Sequence, residues 1–235
     1  MAYWGANGRL TGCTFTNNTA NGNGGGVDWY GVNGRLTGCT FTGNTVIRLA
    51  GAVYWTASNG TLNDSIFIDN TANTHGGAVY WIGANGSLSS SNFTDNTANG
   101  NSGGVDWPGI NGRLTGCTFK RNIAKFNGGG VGIWGNNIKL TDCTFTDNTA
   151  NAGGAIYFAF ESSISNCNFI NGKWIKSNGI YTTKNLTINK GKGIVDIMIN
   201  GVLSGISIVV LNNETYYYPP NTNINFIYSL DNHKT

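Results

Sequence analysis

The chain repeats one pattern every 26 residues, and that period leaves few folds open to it. The Phe of a Cys-Thr-Phe-Thr-x-Asn block recurs at Phe15, Phe41, Phe67, Phe93, Phe119 and Phe145, at intervals of 26, then at Phe169 after 24. Leu10, Leu36, Leu62, Leu88, Leu114, Leu140 and Ile164 run ahead of it. Asn18, Asn44, Asn70, Asn96, Asn122 and Asn148 follow it, and a Gly/Ala-Val step recurs at Val27, Val53, Val79, Val105 and Val131, with Ile156 one place early. A unit of this size cannot bury its own apolar face, so the units must stack on one another.

Residue types select the kind of stack. Helical repeats need long apolar faces of period 3.6, and none is present. Each unit offers short β-type runs such as Leu-Thr-Gly-Cys-Thr-Phe-Thr and Gly-Gly-Ala-Val-Tyr-Trp, separated by Asn/Gly turns. A propeller blade needs about 40 residues. A parallel β-helix needs about one repeat per turn, and the pattern predicts about seven such coils over residues 1–185.

Alternation assigns the faces. Val79 and Trp81 share one side of a strand, and the equivalent columns (Val27 and Trp29, Val53 and Trp55, Val105 and Trp107) stay apolar, which makes them core. The column between them mixes Asp28, Tyr54, Tyr80, Asp106 and Gly132 and reads as solvent-facing. Cys13 and Phe15 are two apart and point inward together. The Asn column is assigned to the left-handed conformation of a sharp turn, and its side chains to a hydrogen-bonded ladder along the stack.

Several functions lose support from composition. Charged residues are 11% of the chain and the net charge is +3, too mild and scattered for a nucleic-acid partner. Arg9, Arg35 and Arg113 share a column with Thr61, Ser87 and Lys139, which reads as solvated surface. No apolar run is long enough to span a membrane. No export signal is visible, and Met1–Gly8 matches mid-repeat residues Val79–Gly86, so the chain is expected to be a piece of a longer protein. Four of the five cysteines (Cys13, Cys39, Cys117 and Cys143) share a column with Ser65 and Ser91, and Cys167 follows. Parallel in-register Cβ vectors suit a disulfide poorly, so these read as small buried hydrophobes. From about Asn185 the repeat gives way to alternating segments (Val195, Ile197 and Ile199, then Ile206, Ile208 and Val210, then Ile224, Phe226 and Tyr228). These predict an antiparallel, Ig-like and incomplete β module over 186–235.

The joint occurrence of Phe-x-x-Asn and Gly-Gly-Ala-(Ile/Val) resembles the repeats of chlamydial polymorphic outer-membrane proteins and, more closely, the adhesin-like surface proteins of methanogenic archaea. Phe67-Ile68-Asp69-Asn70 with Gly76-Gly77-Ala78-Val79, and Cys143–Asn148 with Gly153-Gly154-Ala155-Ile156, carry it. The resemblance covers about residues 2–181. It implies a right-handed parallel β-helix at the extracellular surface and brings no catalytic residues.

Catalysis is tested against the pectin lyases and polygalacturonases that share such helices, whose chemistry needs converging carboxylates with a basic residue. Asp28 and Asp106 share a column three rungs apart, about 14 Å at ordinary strand spacing, too far to act as a pair. Asp69 and Asp95 sit on adjacent rungs with Arg121 one rung further, and form the one candidate cation or ligand patch. His75 and His233 have no nucleophile partner. Gly24–Gly26 and Gly128–Gly130 precede strands and lack the ending of a phosphate loop. Asn17, Asn59, Asn63, Asn85, Asn92, Asn185 and Asn213 head glycosylation sequons. No catalytic, cofactor-binding or metal-binding residue is assigned. The expectation is a non-enzymatic, adhesin-like cell-surface protein that displays or spaces binding surfaces for glycans or other cells. The alternatives are a β-helical polysaccharide lyase or hydrolase with its active coils elsewhere, and a purely structural stalk.

Overall fold

The computed structural model describes residues 2–3, 5–172, 180–182, 186–199, 202–210 and 224–226, with side chains over 5–170 and 180–182. The described residues form an all-β parallel solenoid of about six turns, with no helix among them. Each turn is built from four short strands. In one central turn these are Thr61–Asn63, Ile66–Ile68, Thr71–Ala72 and Val79–Trp81. Every strand pairs in parallel with its equivalents on both sides, so that Leu62 lies between Leu36 and Leu88, Phe67 between Phe41 and Phe93, and Val79 between Val53 and Val105. The 26-residue period is therefore one rung. The third strands form a separate five-stranded sheet, and the other three positions feed one large sheet.

Four left-handed residues turn the chain in each regular coil. In successive coils the corners fall at Asn33, Asn59, Asn85 and Asn111, at Gly38, Asp64, Ser90 and Gly116, at Gly43, Asp69, Asp95 and Arg121, and at Gly24, Ala50, Gly76, Ser102 and Gly128. The ladder asparagines are not among them, which corrects the assignment made from sequence. The reversal occurs one residue earlier, where the side chain faces solvent and Asn, Asp or Gly accommodates positive φ most readily. The next residue, Asn70 for example, is then buried and free to bond along the stack.

Inward columns make the core. Trp29, Trp55, Trp81 and Trp107 are fully buried, as are Phe41, Phe67, Phe93, Phe119 and Phe145. The indoles stack with centroids 4.6–4.8 Å apart, and Phe67 lies 4.9 Å from Phe41 and 4.7 Å from Phe93. In-register pairing leaves identical rings little choice but to stack. Trp55, Trp81 and Trp107 keep an indole N–H without an acceptor among the described residues, a cost outweighed by burying so large a ring. The Asn-Gly corners follow from this packing. A Cβ on Gly86 would stand 2.5 Å from Nε1 of Trp81, so the residue after the left-handed Asn must be glycine. Gly77 answers a different approach, because its Cβ would fall 2.1 Å from the Gly103 carbonyl oxygen.

The seventh repeat, already shortened to 24 residues in the sequence, is also less regular in structure. Its first two strands merge into Ser162–Gly172, Phe169 still stacks on Phe145 at 5.2 Å, and Ile180–Thr182 pairs with Ile156–Phe158. Parallel stacking extends past the boundary expected at residue 185, since Leu186–Ile199 pairs in parallel with Ser162–Gly172 and with Ile180–Thr182. Antiparallel pairing is present between Leu186–Ile199 and Val202–Val210, and Ile224–Phe226 pairs in parallel with Leu186–Ile188. The remainder of the expected Ig-like module, Tyr228 included, lies outside the described residues.

Candidate functional site

Asp69, Asp95 and Arg121 take equivalent corner positions on successive rungs, as their backbone bonds to Thr94, Lys120 and Thr146 show. The structure brings only two of them together. Arg121 places Nε 2.7 Å and Nη2 2.5 Å from the two carboxylate oxygens of Asp95, a fork-on-fork ion pair. Both oxygens of Asp95 are thus engaged, and the Asp69 carboxylate has no hydrogen-bond partner among the described residues. An exposed pair of this kind contributes little to stability. Among the described residues no three His, Cys, Asp or Glu side chains cluster as metal ligands would.

The asparagine column is a continuous hydrogen-bonded spine. Oδ1 of Asn96 accepts the backbone N–H of Asn70 at 3.0 Å and its side-chain Nδ2–H at 2.9 Å. Nδ2 of Asn96 donates to Oδ1 of Asn122 at 2.9 Å and to the Phe67 carbonyl at 3.0 Å. The same set recurs between Asn18, Asn44, Asn70, Asn96, Asn122 and Asn148. No other side chain offers an acceptor and two donors in this geometry, so the column is structural.

Cysteines and His75 serve the stack in similar ways. The backbone N–H of Cys13 reaches Sγ of Cys39, that of Cys39 reaches Oγ of Ser65, and that of Ser65 reaches Oγ of Ser91. A small side chain with an acceptor atom is what the position requires, which is why Ser65 and Ser91 can stand in for Cys there. All five cysteines are free. Burial raises the Cys39 thiol, and the hydrogen bond with Cys117 is the largest cause raising Cys143, so these groups stay protonated and unreactive. Nδ1 of His75 accepts the N–H of Asn101 at 2.9 Å, and burial lowers its pKa. His233 lies outside the described residues.

The outer column of the fourth strand departs from the solvent-facing position expected of it. Asp106 is 2% exposed and Tyr54 9%. Ser102 donates to Oδ2 of Asp106 at 2.8 Å and Nε1 of Trp134 donates to the same oxygen at 3.2 Å. Trp134 also packs on Tyr157 at 4.9 Å. This cover over Asp106 needs two exceptions to the repeat, Ser102 where most coils have glycine and Gly132 where most have a large outward side chain. A Cβ on Gly132 would meet Ser102 Oγ at 2.1 Å. Those paired departures were the sequence signal, and alternation alone does not reveal it.

Burial pushes the Asp106 carboxyl up to about 7, against the two hydrogen bonds that pull it down. Between the ordinary carboxylate range, around pH 4, and pH 7 the folded chain therefore holds a proton that the unfolded chain has lost. Stability falls as pH rises through that window. Asp106→Asn keeps an oxygen for both donors and removes the titration, so its melting temperature is expected to fall less than the parent's between pH 4.5 and 8. Parallel pH profiles for the two proteins would show that Asp106 is not held protonated.

Three stretches, residues 12–28, 64–80 and 142–159, match the model of the Chlamydia polymorphic membrane protein (Chlamydia_PMP) repeat. Each begins at the corner before a second strand and reaches into the fourth, so the matches fall on the same phase of three different coils. The chain thus carries repeats of this type, folded as rungs of a β-solenoid. Comparison with curated proteins and with solved structures gives no match.

Proposed function

We propose that the chain is a cell-surface, adhesin-like protein whose right-handed β-helix displays or spaces binding surfaces for glycans or other cells, with no catalytic site of its own. The observation that carries this reading is the coincidence of polymorphic membrane protein repeats with an in-register rod. A rod of this kind fixes outward side chains at a constant spacing along its length, which suits recognition of an extended partner. Archaeal adhesin-like proteins, which the repeats resemble, and an Ig-like module after the helix belong to the same proposal. No helix is long and apolar enough to cross a membrane among the described residues. Asp69, Asp95 and Arg121 are read as surface.

The experiment incubates the protein with polygalacturonate, calcium supplied or chelated, following unsaturated product and reducing ends, and in parallel measures retention on glycan-coated surfaces and whole cells. Retention without turnover is the expected result. Turnover abolished by Asp69→Ala, Asp95→Ala or Arg121→Ala would replace this reading with an enzymatic one.

A further inference from the structure

We propose that the outer face of the first-strand sheet binds a linear anionic polysaccharide, centred on Arg113 and Lys139. This rests on the adhesin-like reading and names the ligand class and the surface for it. Arg9 and Arg35 are register partners on adjacent rungs, and so are Arg113 and Lys139, with Thr61 and Ser87 on the two rungs between. All four cations are exposed. Among the described residues none of them makes an ion pair. The neighbouring outward column is Thr, Asn or Ser throughout, from Thr11 to Ser165. Like charges directly opposite each other on paired strands destabilise the sheet, and this face holds two such pairs, neither ion-paired to an acid among the described residues. A bound anion relieves both.

The second pair borders a shallow groove. Its floor is Gly86 and Gly112, which the indoles of Trp81 and Trp107 beneath keep free of side chains, and its rim carries Asn85, Ser87 and Asn111. Along this corner the exposed asparagines form their own ladder, Asn33 to Asn7, Asn59 to Asn33 and Asn85 to Asn59, each at 3.2 Å, and Asn137 to Asn111 at 2.9 Å. No side-chain bond joins Asn111 to Asn85 among the described residues. The ladder is interrupted inside the groove, leaving Nδ2 of Asn111 and Oδ1 of Asn85 open beside the guanidinium and the ammonium. Two cations, an amide donor, an amide acceptor and a hydroxyl suit an acidic sugar, with a sulfate or carboxylate on the cations and ring hydroxyls on the amides. A bare inorganic anion has no use for the acceptor.

Direction and length follow from the rungs. Glu161 takes the corner position one rung beyond Asn137, whose N–H bonds its carbonyl at 3.0 Å, and its carboxylate repels an anionic chain running that way. The chain therefore runs from Lys139 back toward Arg9. The centres of the two cation pairs are four rungs, about 19 Å, apart, so a polymer long enough engages both and gains from their linkage. Nucleic acid has the charge too, but this face presents no aromatic ring for a base to stack on.

The test is calorimetric titration with heparin fragments of graded length, alongside neutral dextran and single-stranded DNA of matched charge. Heparin is expected to bind saturably, with affinity rising once a fragment spans both pairs, and dextran is expected not to bind. Arg113→Ser with Lys139→Ser is expected to weaken every fragment at least tenfold. Arg9→Thr with Arg35→Thr is expected to weaken only the long ones. Asn85→Gly, which keeps the left-handed corner and removes only the amide at the acceptor position, is expected to weaken heparin while leaving binding of inorganic sulfate unchanged. All three are surface changes, and an unaltered melting curve confirms the fold of each. Equal heparin affinity for the Arg113/Lys139 variant, or DNA binding as tight as heparin, would overturn the proposal. If that variant still holds to cells and glycan surfaces as the parent does, only this site fails. If the parent itself is retained on none of them, the adhesin-like reading beneath it fails.

Discussion

Phe93→Asp is expected to unfold the rod, while Asp95→Ala, two residues away, lowers its melting temperature only modestly. Phe93 is fully buried in an unbroken column, its ring stacked 4.7 Å from Phe67 and 4.8 Å from Phe119. Loss of such a ring alone costs about 3–5 kcal/mol. The carboxylate that replaces it would lie between two phenyl rings with no partner, which adds a desolvation penalty of several kcal/mol. That total rivals the whole stability of an ordinary domain, roughly 5–15 kcal/mol. Asp95→Ala loses an exposed pairing with Arg121 and sets Ala at a left-handed corner, a cost of about 1–2 kcal/mol. Thermal unfolding followed by circular dichroism separates the two cases, and equal shifts would mean that the inward and outward faces are misassigned.

The second large effect is expected of Asn96→Ala, which opens the middle of the buried spine. The substitution leaves the Asn70 backbone N–H and one Asn70 side-chain N–H without an acceptor, and the Phe67 carbonyl without this donor. Each unsatisfied buried group costs about 1–3 kcal/mol, so a loss of at least about 3 kcal/mol is expected in denaturant melts. Asn99→Ala provides the control. Asn99 also bonds an asparagine 26 residues back, at 2.8 Å, but on the exposed side where water replaces the partner. Its variant is expected to stay within about 0.5 kcal/mol of the parent. If the two variants melt alike, the buried spine contributes no more than its exposed counterpart.

These two residues also show how much was legible in the sequence. Period and alternation together place Phe93 inward and Asp95 outward, because a strand's faces follow from spacing alone. The left-handed corner was misplaced by one residue at Asn96. An Asn suits both a positive-φ turn and a buried ladder, and residue type does not say which. Corner identity depends on where the chain reverses, and the mixed column of Asn17, Gly43, Asp69, Asp95, Arg121 and Asp147 hides that position behind the Arg. Asp106 was missed for another reason. Its cover comes from Trp134, a rung away and 28 residues on, so no local pattern announces it. The groove at Arg113 and Lys139 was visible as a column of cations, but the gap between Asn85 and Asn111 belongs to side-chain geometry.

The measurement that tests the account most directly is excision of one coil. Deleting residues 60–85 joins Asn59 to Gly86 and removes one whole rung, so every inward column stays in line with its neighbours. Deleting only residues 60–72 removes part of a rung and turns the following Phe, Leu and Trp columns out of register. The account predicts that the whole-rung variant keeps a cooperative melt and a β-type far-ultraviolet spectrum, somewhat less stable than the parent, and that the partial deletion is unfolded or aggregated. Equal behaviour of the two deletions, whether both fold or both collapse, would contradict a stack in which 26 residues make one rung.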